Sequence, residues 1–241
     1  MATLFISDLH LHETRPQLTR AFFHFLHTQA QGVEALYILG DFFDAWIGDD
    51  DDTALNAEVA RELKTLANVG TQIFLMHGNR DFLLGKNFAT QAGAQLIDEG
   101  TVINLYGCPT LLLHGDSLCT GDTDYITFRQ QVRNPQWQQH ILAQPLAARR
   151  ALAAQLREKS QAMNSLKAED IMDVTPAEVI DVMTKANVTR MIHGHTHRPA
   201  RHALSVSNKP AERIVLGDWH HLAWALHVDE KNTSLLSWNI E

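Results

Sequence analysis

Five short segments combine carboxylate, imidazole and amide side chains, most of them beside glycine. They are Asp8-Leu9-His10, Gly40-Asp41-Phe42-Phe43-Asp44, Gly78-Asn79-Arg80-Asp81, His114-Gly115-Asp116 and His193-Gly194-His195-Thr196-His197. Oxygen and nitrogen donors without thiolate suit divalent ions such as manganese, iron, zinc or cobalt. A mononuclear zinc site needs only three or four protein ligands, so this set is too large for one ion, and a carboxylate can bridge two. Two ions roughly 3.5–4 Å apart polarise a phosphoryl oxygen, activate a water and stabilise the leaving oxygen. The chemistry implied is hydrolysis of a phosphate ester or phosphoanhydride.

No single segment carries this reading. The 14 histidines make a chance Asp-x-His unremarkable, and Asp218-Trp219-His220 is a second one. A lone Gly-Asp is usually a turn, and a lone histidine is usually a surface or core residue. Gly-His-Thr-His is sharper, because alternate residues of an extended segment point the same way. The order of all five points to a metal site.

Elements must bring these segments together. Residues 3–6, 35–39, 72–76 and 189–192 are short continuous apolar runs, each just before a motif, and are predicted strands. Such runs between helices indicate a sheet covered on both faces. Strand ends in these sheets lie side by side at one edge, where ligands bind. Helices are predicted from Pro16, with Leu18, Phe22, Phe25 and Leu26 on one face, from about Thr53 to Ala67, and from Thr175-Pro-Ala-Glu178 to about Ala186. The last begins as a capping box with proline at its first position. Residues 101–106 and 110–114 flank Tyr-Gly-Cys-Pro and read as a hairpin; 214–216, 222–228 and 234–238 read as further strands.

The stretch from Asp122 to Lys167 differs, with seven cationic side chains against three acidic ones, or +4, in a chain of net charge -8. It reads as a helical insertion over 121–167 of a single domain, 1–241. A helix from about Leu146 to Lys167 would align Arg157, Ser160, Asn164 and Lys167 on one face. That face could hold sugar hydroxyls, amides and phosphates, or simply be solvated. Tyr125, Phe128 and Trp137 read as core.

The acidic balance argues against a nucleic-acid-binding surface. With two cysteines, no disulfide framework or thiolate zinc site is expected, which fits a reducing cytosol. Neither a signal peptide nor a membrane span is expected.

The five motifs, spanning residues 8–197, resemble those of the calcineurin-like metallophosphoesterases. The resemblance implies an α/β fold, a two-sheet β-sandwich flanked by helices. It also implies that Asp8, His10 and His197 hold one metal, that Asn79, His114 and His195 hold the other, and that Asp41 bridges them. Most members carry a histidine after Gly-Asn, which protonates the leaving group; here Arg80 stands there. Arginine keeps its proton and is a poor acid, but it forks onto phosphate. A phosphate monoester leaves without protonation, its second pKa being about 6. Arg80 therefore points to pyrophosphate cleavage. The alternative is that Arg80 only pairs with Asp81 or Asp116.

Ser7–Leu11, Gly40–Asp50, Gly78–Phe82, His114–Asp116 and Asp122 most resemble the family members that cleave UDP-2,3-diacylglucosamine in lipid A synthesis. That resemblance implies manganese as the metal, release of UMP and a lipid 1-phosphate, and water attack on the UMP-side phosphorus. It implies Arg80 as the catalytic residue, and substrate contacts from Asn79, Arg80, Asp122, Ser160, Asn164, Lys167 and His195. The expected setting is a monomer on the cytoplasmic face of the inner membrane, drawn there by the basic insertion. Two other readings stand beside it: a dinuclear phosphodiesterase or pyrophosphatase for another nucleotide or phosphoester, and a metal-free scaffold, which would show gaps in the ligand set.

Overall fold

The computed structural model describes residues 2–240 apart from 165–172, and the backbone alone for 159–164. β1 (Ala2–Ile6), β2 (Ala35–Leu39), β3 (Gln72–Met76) and β4 (Ala94–Ile97) run parallel. β10 (Leu222–Asp229) and β11 (Thr233–Asn239) extend the far side of β1 antiparallel, giving the order β11-β10-β1-β2-β3-β4. The second sheet is β5-β6-β7-β9-β8, made of β5 (Thr101–Leu105), β6 (Cys108–Leu112), β7 (Arg190–His193), β8 (Ala200–Val206) and β9 (Lys209–Val215).

The apolar strands are continuous because both faces are covered. Leu4, Ile6, Leu36 and Ile38 pack under α1 (Pro16–Thr28), α2 (Ala54–Asn68) and α3 (Lys86–Ala92), against Phe22, Phe25, Leu63 and Phe88. The alternate residues Phe5, Tyr37 and Leu39 face the other sheet, where they meet Leu112, Ile192 and Ile214. On its outer face the second sheet buries Leu111 and Met191 under Val179 and Met183 of α7 (Pro176–Lys185). The predicted two-sheet sandwich with flanking helices is therefore the observed architecture. Between β6 and α7 come α4 (Thr123–Val132), α5 (Pro135–Leu142) and α6 (Leu146–Asn164).

Several local expectations are corrected. The hairpin turns at Tyr106-Gly107, both left-handed at φ 52° and 88°, so Cys108 and Pro109 belong to the returning strand rather than to the turn. The capping box at Thr175 does not form: α7 begins at Pro176 as predicted, but the Thr175 hydroxyl accepts from Thr120 Oγ1 at 2.8 Å. The β8–β9 hairpin, turning at left-handed Ser207 and Asn208, was not anticipated; β8 is largely exposed and lacks an apolar alternation. α3 was not anticipated either, because its cap comes from a distant loop. Gly85 has no side chain to offer, and Asp49 accepts from the amides of Gly85, Asn87 and Phe88 at 2.8, 2.9 and 3.1 Å.

Candidate metal centre and substrate cavity

β1, β2 and β3 end at one edge of their sheet, and β6 and β7, also parallel, end beside them. Backbone bonds tie the following loops together: Asp8 N–H to Gly40 O (3.1 Å), His10 N–H to Asp41 O (2.9 Å) and Gly194 N–H to His114 O (2.8 Å). Asp8, His10, Asp41, His195 and His197 all adopt left-handed backbone, with φ of 56°, 49°, 49°, 68° and 55°. Such non-glycine residues typically cost about 1–3 kcal/mol each and persist only where surrounding structure over-determines them. Here the five turn their side chains toward a common centre. The loops approach so closely that a Cβ on Gly78 would overlap the amide and carboxylate of Asp41, and one on Gly194 would overlap Ser7 and Asp8.

The side chains form two adjoining groups. In the first, one ligand atom from each of Asp8, His10 and His197 lies within 4.8 Å of the others. His197 Nε2 is 3.3 Å from Asp8 Oδ1 and 3.4 Å from His10 Nε2. Ser7 Oγ and His195 N–H hold the other Asp8 oxygen at 2.6 and 2.8 Å. In the second, Asn79 Oδ1 is 2.9 Å from both His114 Nε2 and His195 Nδ1. Asp41 stands between, with Oδ2 3.8 Å from His10 Nδ1 and Oδ1 3.7 Å from His114 Nε2.

This geometry fits divalent cations. His114 Nδ1 donates to Leu39 O at 2.8 Å, so a neutral ring points the lone pair of Nε2 at Asn79 Oδ1. Two lone pairs face each other there unless a cation or proton lies between. Asp8 Oδ1 and His10 Nδ1 are buried without a hydrogen-bond partner. Buried polar atoms are rarely left in that state.

The charges of the protein alone tell the same story. Burial pushes the Asp41 carboxyl up to about 7, helped by Asp81 and Asp8 against His114 and Arg80. Burial lowers His114, but Asp41, Asp8 and Asp116 outweigh it and lift the ring to about 9. Burial would raise Asp8, yet the His197 ring 3.3 Å away, with the charges of His114 and His10, holds it well below the usual carboxylate range. Burial, aided by the charge of His114, depresses His195 to about 4. At neutral pH a proton on His114 thus supplies charge where a cation fits.

Arg80 does not pair with Asp81 or Asp116. Its Nη1 lies 3.0 Å from Asp44 Oδ1 and its Nε 3.6 Å from Asp41 Oδ2, while its backbone N–H donates to Asp41 Oδ1 at 2.8 Å. Asp81 instead accepts from the amides of Gly78 and Phe42 at 2.7 and 2.8 Å, which braces the Asn79 and Asp41 loops. Asp116 accepts from the Tyr125 hydroxyl and from Arg129 Nε. That fixes Tyr125 with its ring stacked on His195, centroids 6.1 Å apart. Asp218 of the second Asp-x-His stands 3.6 Å from His197 Nδ1, and Trp219 is in the core.

A cavity of about 540 Å³ opens from this floor beneath the insertion. Asp44, Asn79, Arg80 and Arg157 line one end, and Trp46, Phe82, Phe128, Trp137, Leu152 and Leu156 line the rest. Tyr125, Phe128 and Trp137 are thus cavity walls rather than core, a correction. Apolar residue types look alike in either place. Asp122 is buried and caps α4 through Tyr125 N–H at 3.1 Å. Lys167 lies outside the described residues, as do the side chains of Ser160 and Asn164. Arg15 and Arg157 gather on Asp44, and no local sequence pattern links residues so far apart.

Residues 1–199 match the model of the calcineurin-like phosphoesterase family. The chain is 68% identical to the UDP-2,3-diacylglucosamine hydrolase of Cellvibrio japonicus over the full length of both. It is 57% identical to the enzyme of that name from Marinobacter nauticus, covering 95% of this chain and 94% of that one. Among solved structures, vacuolar protein sorting 29 from Cryptosporidium parvum shares the fold, with 12% identity, 99% and 97% coverage and a TM-score of 0.50. This chain belongs to the calcineurin-like phosphoesterase family.

Proposed function

We propose that this protein hydrolyses the pyrophosphate bond of UDP-2,3-diacylglucosamine, giving 2,3-diacylglucosamine 1-phosphate and UMP. One observation carries the reading furthest: Asn79 and Arg80 belong both to the ligand cluster and to the wall of a half-apolar cavity. A phosphate on the floor and acyl chains above it would occupy one continuous space. The full-length likeness to hydrolases of that name supports the same substrate.

Asp8, His10, Asp41 and His197 would hold one divalent ion, and Asp41, Asn79, His114 and His195 the other; we assign manganese. Bound there, the pair supplies Lewis-acid activation of water and of the phosphoryl oxygens. Water attacks the UMP-side phosphorus, the bond to the bridging oxygen breaks, and the lipid phosphate departs as an anion. Arg80, held in place by Asp44, neutralises charge that develops on the phosphoryl oxygens. No residue need donate a proton to the leaving group.

Residues 121–167 act as a cap on one metallophosphoesterase domain, 1–241. In this reading Asp122, Ser160, Asn164 and Lys167 contact the sugar and phosphates, and the aromatic walls receive the acyl chains. No helix among the described residues is long and apolar enough to cross a membrane. The basic cap would bring a monomer to the anionic cytoplasmic surface of the inner membrane. The test is manganese-dependent UMP release from the acylated UDP-sugar, with UDP-glucosamine as control. Faster turnover of the acylated substrate is expected; equal turnover of the two would reject the lipid assignment.

A further inference from the structure

Three guanidinium groups converge on one buried carboxylate beside the metal ligands. The Asp44 side chain is 2% exposed, with Arg80 Nη1 3.0 Å and Arg15 Nη2 3.3 Å from its Oδ1. Arg157 pairs with its other oxygen. The three come from the loop after β3, the start of α1 and the cap helix α6, so the fold assembles them from distant parts of the chain.

The charges do not balance. A guanidinium keeps its proton in a protein. Asp41, the other carboxylate near Arg80, is a proposed metal ligand and cannot serve both. Burial and mutual repulsion already press on Arg15 and Arg157. Nor does α1 need Arg15 as an anchor, because Leu18, Phe22 and Phe25 are buried on its apolar face. The arginine side chains stay accessible, 29%, 35% and 40% exposed for Arg15, Arg80 and Arg157, and Arg80, Arg157 and the shared Asp44 line the cavity. Like charges collected around one carboxylate and left accessible call for an anion. Each guanidinium has five N–H donors. Arg15 spends donors on Asp44 and on the His10 backbone carbonyl, and has others left.

We propose that Arg15 is a phosphate-binding residue, gripping with Arg157 the phosphate that departs with the lipid while Arg80 serves the phosphoryl group under attack. Asp44 is the template that keeps the three forks apart and aimed. This rests on the pyrophosphate reading above, and it adds a contact from outside the cap.

The experiment compares wild type with Arg15→Gln and Arg15→Lys, as full chains loaded with manganese. It reads steady-state UMP release, inhibition by each of the two products, manganese content, and binding of inorganic pyrophosphate. A charge-assisted hydrogen bond is worth about 1.5–3 kcal/mol, so Arg15→Gln should raise KM roughly tenfold or more. Inhibition by diacylglucosamine 1-phosphate should weaken in parallel, while inhibition by UMP and manganese content stay as in wild type. Arg15→Lys, which keeps the charge without the fork, should fall between. If Arg15→Gln does not fold, Arg15→Lys is read by the same KM and inhibition constants. Unchanged KM and sugar-phosphate inhibition would overturn the assignment. So would lost manganese with a matching fall in kcat, which would make Arg15 only a brace for His10. Failure of wild type to release UMP would instead sink the pyrophosphate reading, and pyrophosphate binding would still judge Arg15.

Discussion

The floor of the site and the cap above it are held by different physics. On the floor, Asp8 and His114 are 0% exposed and Asp41 2%, and the strands leading to Asp8 and Asp41 are buried almost throughout. In the cap, α5 buries no residue fully and α4 buries only Val132. Arginines fasten it instead. Arg149 reaches Asp50 and the Ile47 carbonyl, Arg133 donates to Gly78 O at 2.9 Å, and Arg129 joins Asp116 and Glu99. Core burial lets the floor sustain left-handed ligand residues, because packing on both faces over-determines them. The cap's pairs are part-buried, with Arg149 3% and Asp50 61% exposed, and they fasten helices without a packed core of their own. A fixed floor suits a reaction that depends on ligand placement. A cap fastened by side-chain pairs leaves its apolar residues free to line the cavity.

The sharpest way to break this division is at Asp41. Asp41→Ala removes the carboxylate that stands between the two groups, with one oxygen toward His10 and the other toward His114. UMP release should fall by more than about 10³-fold, beyond the loss expected for a single charge-stabilising donor. Bound manganese, measured by elemental analysis, should fall with it. Full metal content with a tenth of wild-type activity would show that the floor does not work as a bridged pair.

Arg80 sits on the boundary between the two regions. Its backbone N–H holds Asp41 and its side chain points into the cavity, so Arg80→Ala should separate the roles. The amide remains in the variant, and manganese content should stay near normal. Losing the guanidinium should lower kcat by about 10²–10³-fold, as for other single groups that stabilise transition-state charge. A matching loss of metal would place Arg80 wholly with the floor.

The same division governs what could be read from the sequence. The convergence of the candidate ligands was legible because each follows a short continuous apolar run: Leu4–Ile6 before Asp8, Leu36–Leu39 before Asp41, Met191–Ile192 before His195. A strand buried on both faces has a simple signature, and its end has a fixed place. The left-handed backbone of His10 and His197 had no such signature, because only the assembled loops impose it. In the cap, the charge reversal was legible, but α4 and α5, half exposed, lack a strong apolar stripe. The pairing of Arg149 with Asp50 spans 99 residues, and that of Arg157 with Asp44 is comparably remote. Long-range ion pairs follow from the fold and cannot precede it.

The smallest effect expected is at the cap wall, and it tests the comparison from the other side. Trp137 is half-buried, its ring 6.1 Å from Phe82, and it lines the cavity away from the ligands. Trp137→Ala should leave manganese content and the thermal midpoint near wild type, because α5 contributes little to the core. Burying a large apolar side chain is worth about 1.5–3 kcal/mol, so partial loss of that contact should raise KM for the acylated substrate about tenfold. Turnover of UDP-glucosamine, which has no chain to place there, should not change. An equal loss on both substrates would mean that the cap wall shapes the floor, and that the two regions are one mechanical unit.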